Sequence, residues 1–90
     1  MIYFNMKSRK FVRRFNKLQE RTCSNLVAEI QTEDLVYIYR IRNGEKDLFA
    51  YNTYYGYWVF APGEDRVLVT PKTLKLMAKF TKKTYKNARK

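Results

Sequence analysis

Residues 35–51 read LVYIYRIRNGEKDLFAY. The first eight residues, Leu35–Arg42, are rich in β-branched and aromatic side chains, the composition that suits a pleated, half-buried surface. They stop at Asn43-Gly44, the strongest short hairpin signal, because both central positions of a type I′ turn need a positive φ. A two-residue loop fixes the pairing. Arg42 is expected opposite Glu45, Arg40 opposite Asp47, Ile38 opposite Phe49 and Val36 opposite Tyr51. Two Arg–acid pairs thus meet across the hairpin, and Leu35, Tyr37, Tyr39 and Ile41 share its other face.

A second hairpin follows in the reading. Tyr57–Ala61 is one arm, Pro62-Gly63-Glu64-Asp65 the loop and Arg66–Val69 the return. Between the two hairpins lies YNTYYGYW, residues 51–58. Gly56 marks a turn or bulge there. After it Trp58 and Phe60 take the core face, and Tyr57 and Val59 the other. Tyr54 and Tyr55 belong to neither alternation, which leaves them either as rings for stacking on a base or a partner or as partly buried side chains. Upstream, residues 22–34 are read as a strand, with a short helix as the alternative.

On either side of the strands the period changes to that of a helix. Phe4, Phe11, Phe15 and Leu18 share one narrow face with Val12 at its edge, and seven basic residues from Lys7 to Arg21 fan over the opposite half. The helix is placed at about 6–21, with Asn5 as N-cap. At the other end Thr70-Pro71 is a start signal, Thr as N-cap and Pro at the first helical position. Leu74, Met77, Ala78, Thr81 and Tyr85 follow helical spacing, widened by Leu76 and Phe80. Lys72, Lys75, Lys79, Lys82, Lys83, Lys86 and Arg89 fill the remaining arc. The sequence therefore predicts a single α+β domain over residues 1–90: basic helix, three- to five-stranded antiparallel sheet, basic helix.

Charge is sorted along this order. Residues 1–19 hold six basic residues (Lys7, Arg9, Lys10, Arg13, Arg14, Lys17) and no acid, and residues 70–90 hold eight basic residues and no acid. The middle, residues 20–69, holds five basic and eight acidic residues, so the whole net charge of +11 comes from the two ends. Like charges at i,i+4 repel, and no acid on the second helix offsets them. A soluble surface normally mixes both signs. Such a balance favours polyanionic partners.

The chain has one cysteine, Cys23, and no histidine. An internal disulfide is impossible, and the usual zinc ligand sets are missing. The opening MIYFNMKSRK has a few apolar residues and then turns basic, the reverse of a signal peptide, and no run reaches about 20 apolar residues, so a cytoplasmic protein without a membrane span is expected. There is no phosphate-binding glycine loop, no nucleophile elbow and no metal-binding His pair. The adjacent carboxylates Glu33-Asp34 and Glu64-Asp65 read as solvated turn acids, and Cys23 as a buried or bystander thiol. No enzyme activity, metal or cofactor is expected.

The order helix–strands–helix, with Pro71-Lys72-Thr73-Leu74-Lys75 opening a basic second helix, resembles the double-stranded-RNA-binding domain in outline. That resemblance implies lysines of the second helix on phosphates. The family's lysine–alanine cluster at that helix start and its histidine loop are absent from this sequence. Charge and order together predict an RNA- or DNA-binding protein, small and of phage type. Its site is Lys7, Arg9, Lys10, Arg13, Arg14, Lys17, Lys72, Lys75, Lys79, Lys82, Lys83, Lys86 and Arg89, with Tyr54 and Tyr55 stacking. The alternative is an inhibitor that docks on a host enzyme, toxin or defence complex. Docking on a membrane surface ranks below both, because Leu76, Met77 and Phe80 are needed for the sheet. Homodimerisation through an edge strand is a further expectation.

Overall fold

Asn43 and Gly44 both take positive φ, 51° and 80°, and form the expected two-residue turn. The computed structural model describes residues 2–4, 6–53, 55–65 and 68–85, and the turn joins two of its strands. In chain order the elements are β1 (Ile2–Phe4), α1 (Ser8–Arg21), β2 (Leu26–Thr32), β3 (Leu35–Arg42), β4 (Glu45–Asn52), β5 (Trp58–Phe60), α2 (Pro71–Thr81) and β6 (Lys83–Tyr85). Strands β2 to β5 form one antiparallel sheet in sequential order, and β1 pairs separately with β6. The fold is α+β, as the sequence predicts.

The hairpin keeps the expected register only near its turn. Arg42 lies opposite Glu45 and Arg40 opposite Asp47, but Ile38 faces Ala50 and Tyr37 faces Tyr51. A β-bulge between Ile38 and Tyr39 leaves Phe49 as the extra residue. The cause is packing. Strict alternation would aim Ala50 outward, whereas the bulge sends both Phe49 and Ala50 inward, each fully buried. Beyond it Asn52 also turns inward. Its amide donates to the Asp34 carbonyl (2.8 Å) and its oxygen accepts from the Val36 amide (2.7 Å), which closes the Glu33–Asp34 turn.

The second hairpin differs from expectation. β5 pairs back onto β4, Ala50 opposite Phe60 and Asn52 opposite Trp58, through a turn in which Gly56 has φ 92°. Leu68 and Val69 are not in a strand, and residues 66–67 of the predicted return arm lie outside the described residues. Pro62-Gly63 instead makes a tight turn, with the Glu64 amide donating to the Ala61 carbonyl (2.9 Å) and Gly63 at φ 84°, the type II pattern.

Both helices pack on the inner face of the sheet. Phe11 and Phe15 of α1 and Met77 and Phe80 of α2 are buried with Val36, Ile38, Phe49 and Ala50. Phe11 stacks on Phe80 at 4.6 Å and touches Trp58 at 5.6 Å. Trp58 and Phe60 face this core, as the alternation predicts, and the indole Nε1–H donates to the Met77 carbonyl (3.0 Å). Gln19 Nε2 donates to Thr73 Oγ1 (3.0 Å). Because Phe11 meets Phe80 and Gln19 meets Thr73, the two helices run antiparallel, side by side.

The helix ends need three corrections. α1 begins at Ser8 with Lys7 as N-cap and no side-chain cap; Asn5, the expected cap, lies outside the described residues, and Phe4 is in β1, opposite Lys83. α2 has the Thr70 cap and Pro71 start predicted, with Thr70 Oγ1 accepting from the Thr73 amide (3.3 Å), but it stops at Thr81. Lys83–Tyr85 then pairs as a strand with Ile2–Phe4, a contact between chain ends that no local pattern can announce. α1 closes through Cys23 at φ 54°. The Ser24 amide donates to the Gln19 carbonyl (3.0 Å) and the Cys23 amide to that of Glu20 (3.3 Å), a Schellman closure with cysteine where glycine is usual. Cys23 is exposed, not buried.

Candidate nucleic-acid interface

Each helix has one arc committed to the core and one that is not. On α1 the arc through Phe11, Phe15 and Gln19 is buried, and Arg9, Lys10, Arg13, Arg14 and Lys17 lie on the other, with Lys7 at the cap and Arg21 at the end. On α2, Thr73, Met77 and Phe80 are buried, and Lys72, Lys75 and Lys79 are exposed, with Lys82 at the C-cap. Both helices cover the same face of the sheet, so both basic arcs look away from it on one side of the domain. This is the arrangement that a shared phosphate groove requires.

Three expected members lie outside the described residues, and one falls elsewhere in the fold. Lys86, Arg89 and Tyr54 are the three. Lys83 is in β6 rather than on the α2 arc. Tyr55 is 78% exposed in the turn between β4 and β5. Trp58, three residues on, touches Phe11 near the start of α1 and Phe80 near the end of α2. Tyr55 therefore lies toward the end of the domain that carries Lys10 and Lys79. Arg21 extends the α1 arc; its place among the seven cations of that helix was the signal for it.

The three cations of the β2–β5 sheet are each met by an acid of the domain. Arg40 donates from Nε and Nη2 to the Glu64 carboxylate (3.3 and 3.1 Å), and Arg42 lies 3.7 Å from the same group. Glu64 is thus a mostly buried acid clamped by two arginines, not a solvated turn acid. The type II turn at Pro62-Gly63 carries it back over β3, and Arg40 takes it in preference to Asp47, its cross-strand neighbour. The Arg40 guanidinium also lies 4.9 Å over the Phe49 ring. Lys46 pairs with Glu29 at 2.8 Å and lies 4.8 Å over the Tyr39 ring. The hydrogen bond to Glu29 raises the Lys46 pKa above the ordinary lysine value.

No helix lysine or arginine has an ion-pair partner among the described residues. Neither helix has an acid in its first turn, where the macrodipole favours negative charge; Arg9 and Lys10 on α1 and Lys72 on α2 stand there instead. Such an array can hold phosphates by charge and by lysine and arginine donors.

Among the described residues no helix is long and apolar enough to cross a membrane. Comparison of the chain with protein families, with curated proteins and with solved structures finds no match. The likeness to the double-stranded-RNA-binding domain stops at element order, and here a fourth strand joins the sheet and a terminal strand pair flanks the helices.

Proposed function

We propose that this chain is a non-catalytic nucleic-acid-binding protein that grips RNA through phosphates along its two-helix face. The observation that carries the reading is the pairing of two basic arcs on one side of the sheet, with no ion-pair partner on either among the described residues. A merely soluble surface would mix signs, and a helix selected for stability alone would place acids in its first turn. The deep, narrow major groove of an RNA duplex keeps such side chains from most base edges, so phosphates and groove shape are what they reach. Shape and phosphate spacing are then what it recognises, with the exposed Tyr55 ring to stack on a base of a single-stranded segment.

Fluorescence anisotropy of nuclease-treated protein against duplex and single-stranded RNA and DNA, over a salt series, tests this. Affinity should fall steeply with salt, with a log–log slope near −0.9 per neutralised phosphate on a duplex. Replacing Lys72, Lys75 and Lys79 together by glutamine should flatten that slope, by about 0.9 for each phosphate no longer neutralised, without unfolding the protein. An affinity indifferent to salt would overturn the reading. Retention of one protein partner after RNA has been digested away, with no residual RNA affinity, would replace it by an inhibitor role on an acidic protein surface.

A further inference from the structure

The outer face of the β2–β5 sheet is the other large surface of the domain. Tyr37, Tyr39, Ile41, Leu48, Tyr51 and Val59 alternate onto it from three strands and are half-buried. Tyr37 lies 5.7 Å from Tyr51 and 6.1 Å from Tyr39. Both helices pack on the opposite side. The charges at the centre of this face are Glu29, opposite Tyr37 on β2, and Lys46, opposite Ile41 on β4, joined over Tyr39. Their sum is zero, so a polyanion gains nothing there.

We propose that this face docks a second copy of the chain, the two sheets stacking face to face about a twofold axis near Tyr39. The Glu29–Lys46 pair is self-complementary under that operation: Lys46 of each copy can meet Glu29 of the other, while the tyrosines and aliphatic groups around it lose water. Edge-to-edge pairing is the poorer route. On β2 both backbone groups of Ala28 are occupied by the Asn16 side chain, whose Nδ2 donates to the carbonyl (3.1 Å) and whose Oδ1 accepts from the amide (2.7 Å). The other edge, β5, has three residues. Stacking by the face also keeps the cations apart. A sheet spacing of about 10 Å with a helix layer of about 10 Å on each side sets the two basic faces roughly 30 Å from one another. That is several Debye lengths at physiological salt.

The footprint is modest, three strands of seven to eight residues beside the three-residue β5, or roughly 14 by 23 Å with a short extra margin, which fits a weak, transient dimer. The inference is independent of RNA binding and is tested without RNA. Sedimentation of the nuclease-treated full chain, over micromolar to near-millimolar concentrations, should show the mass rising from 10.9 kDa toward twice that value. Added salt should not weaken it, unlike phosphate binding. E29K and K46E should each shift the dimer at least tenfold toward monomer, and an equimolar mixture should dimerise again, since each supplies the charge the other lacks. Dilution should also move the tyrosine ring NMR signals of the wild-type chain, a readout that needs no variant. A mass fixed at 10.9 kDa at every concentration would overturn the proposal, as would variants that dimerise like wild type. Tyrosine signals that respond to RNA but not to dilution would assign the face to nucleic acid instead.

Discussion

The helical face and the sheet differ in how their charges are met. On the sheet and its loops each ion pair is closed within the domain, Arg40 and Arg42 on Glu64 and Lys46 on Glu29. On the helices the cations are left open toward solvent. The difference follows from topology. Charge is sorted along the chain into its two ends, and because α1 and α2 cover the same side of one sheet, sorting in sequence becomes sorting in space. Two helices on opposite sides of the sheet would have spread the same residues into two unrelated patches. One core holds this arrangement, and the substitutions below test each part of it.

The largest effect is expected at Phe11, where α1, α2 and β5 meet. Phe11→Ala removes a ring in contact with Phe15, Trp58 and Phe80, and should lower unfolding free energy by about 3–5 kcal/mol in urea titration. A loss below about 1 kcal/mol would mean that the two helices do not share a core. Next is Asn16→Ala. It frees both Ala28 backbone groups and should cost about 1–3 kcal/mol. Faster hydrogen exchange at the Ala28 amide would locate the change at the β2 edge, and unchanged exchange would break the link between α1 and that edge.

Smaller still is the cap of α2. Thr70→Ala should cost about 1 kcal/mol, and it should lower the thermal midpoint without altering the salt slope of RNA affinity. A changed slope would mean that the cap acts on the basic face and not only on stability. The smallest effect carries the opposite sign. Cys23→Gly relieves a left-handed residue and should add up to about 1 kcal/mol to stability. No gain would indicate that the cysteine side chain makes up for its backbone conformation.

Much of the fold was legible because its signals are local. Asn43-Gly44 marked the turn, Thr70-Pro71 the start of α2, and alternation after Gly56 turned Trp58 and Phe60 inward. The misses share a cause. The bulge at Phe49 depends on what lies beneath the sheet, and the end of α2 at Thr81 depends on a strand partner some eighty residues away. Glu64 looked like any loop acid until the Pro62-Gly63 turn brought it to Arg40. For the candidate site, the cations from Lys7 to Lys17 and from Lys72 to Lys82 were readable from helical periodicity, and Lys83 was not, because periodicity does not say where a helix stops.

The sequence by itself determined the element types near strong local signals, the cations of each helix and the segregation of charge, since propensity, turn chemistry and periodicity act over a few residues. Only the tertiary structure decided that the two basic arcs share a side, that Arg40 and Arg42 are spent on Glu64, and that the tyrosines of β3 and β4 gather on a face the helices leave open. Those outcomes depend on contacts between residues far apart in the chain, whose energies are settled by packing the core once for the whole molecule.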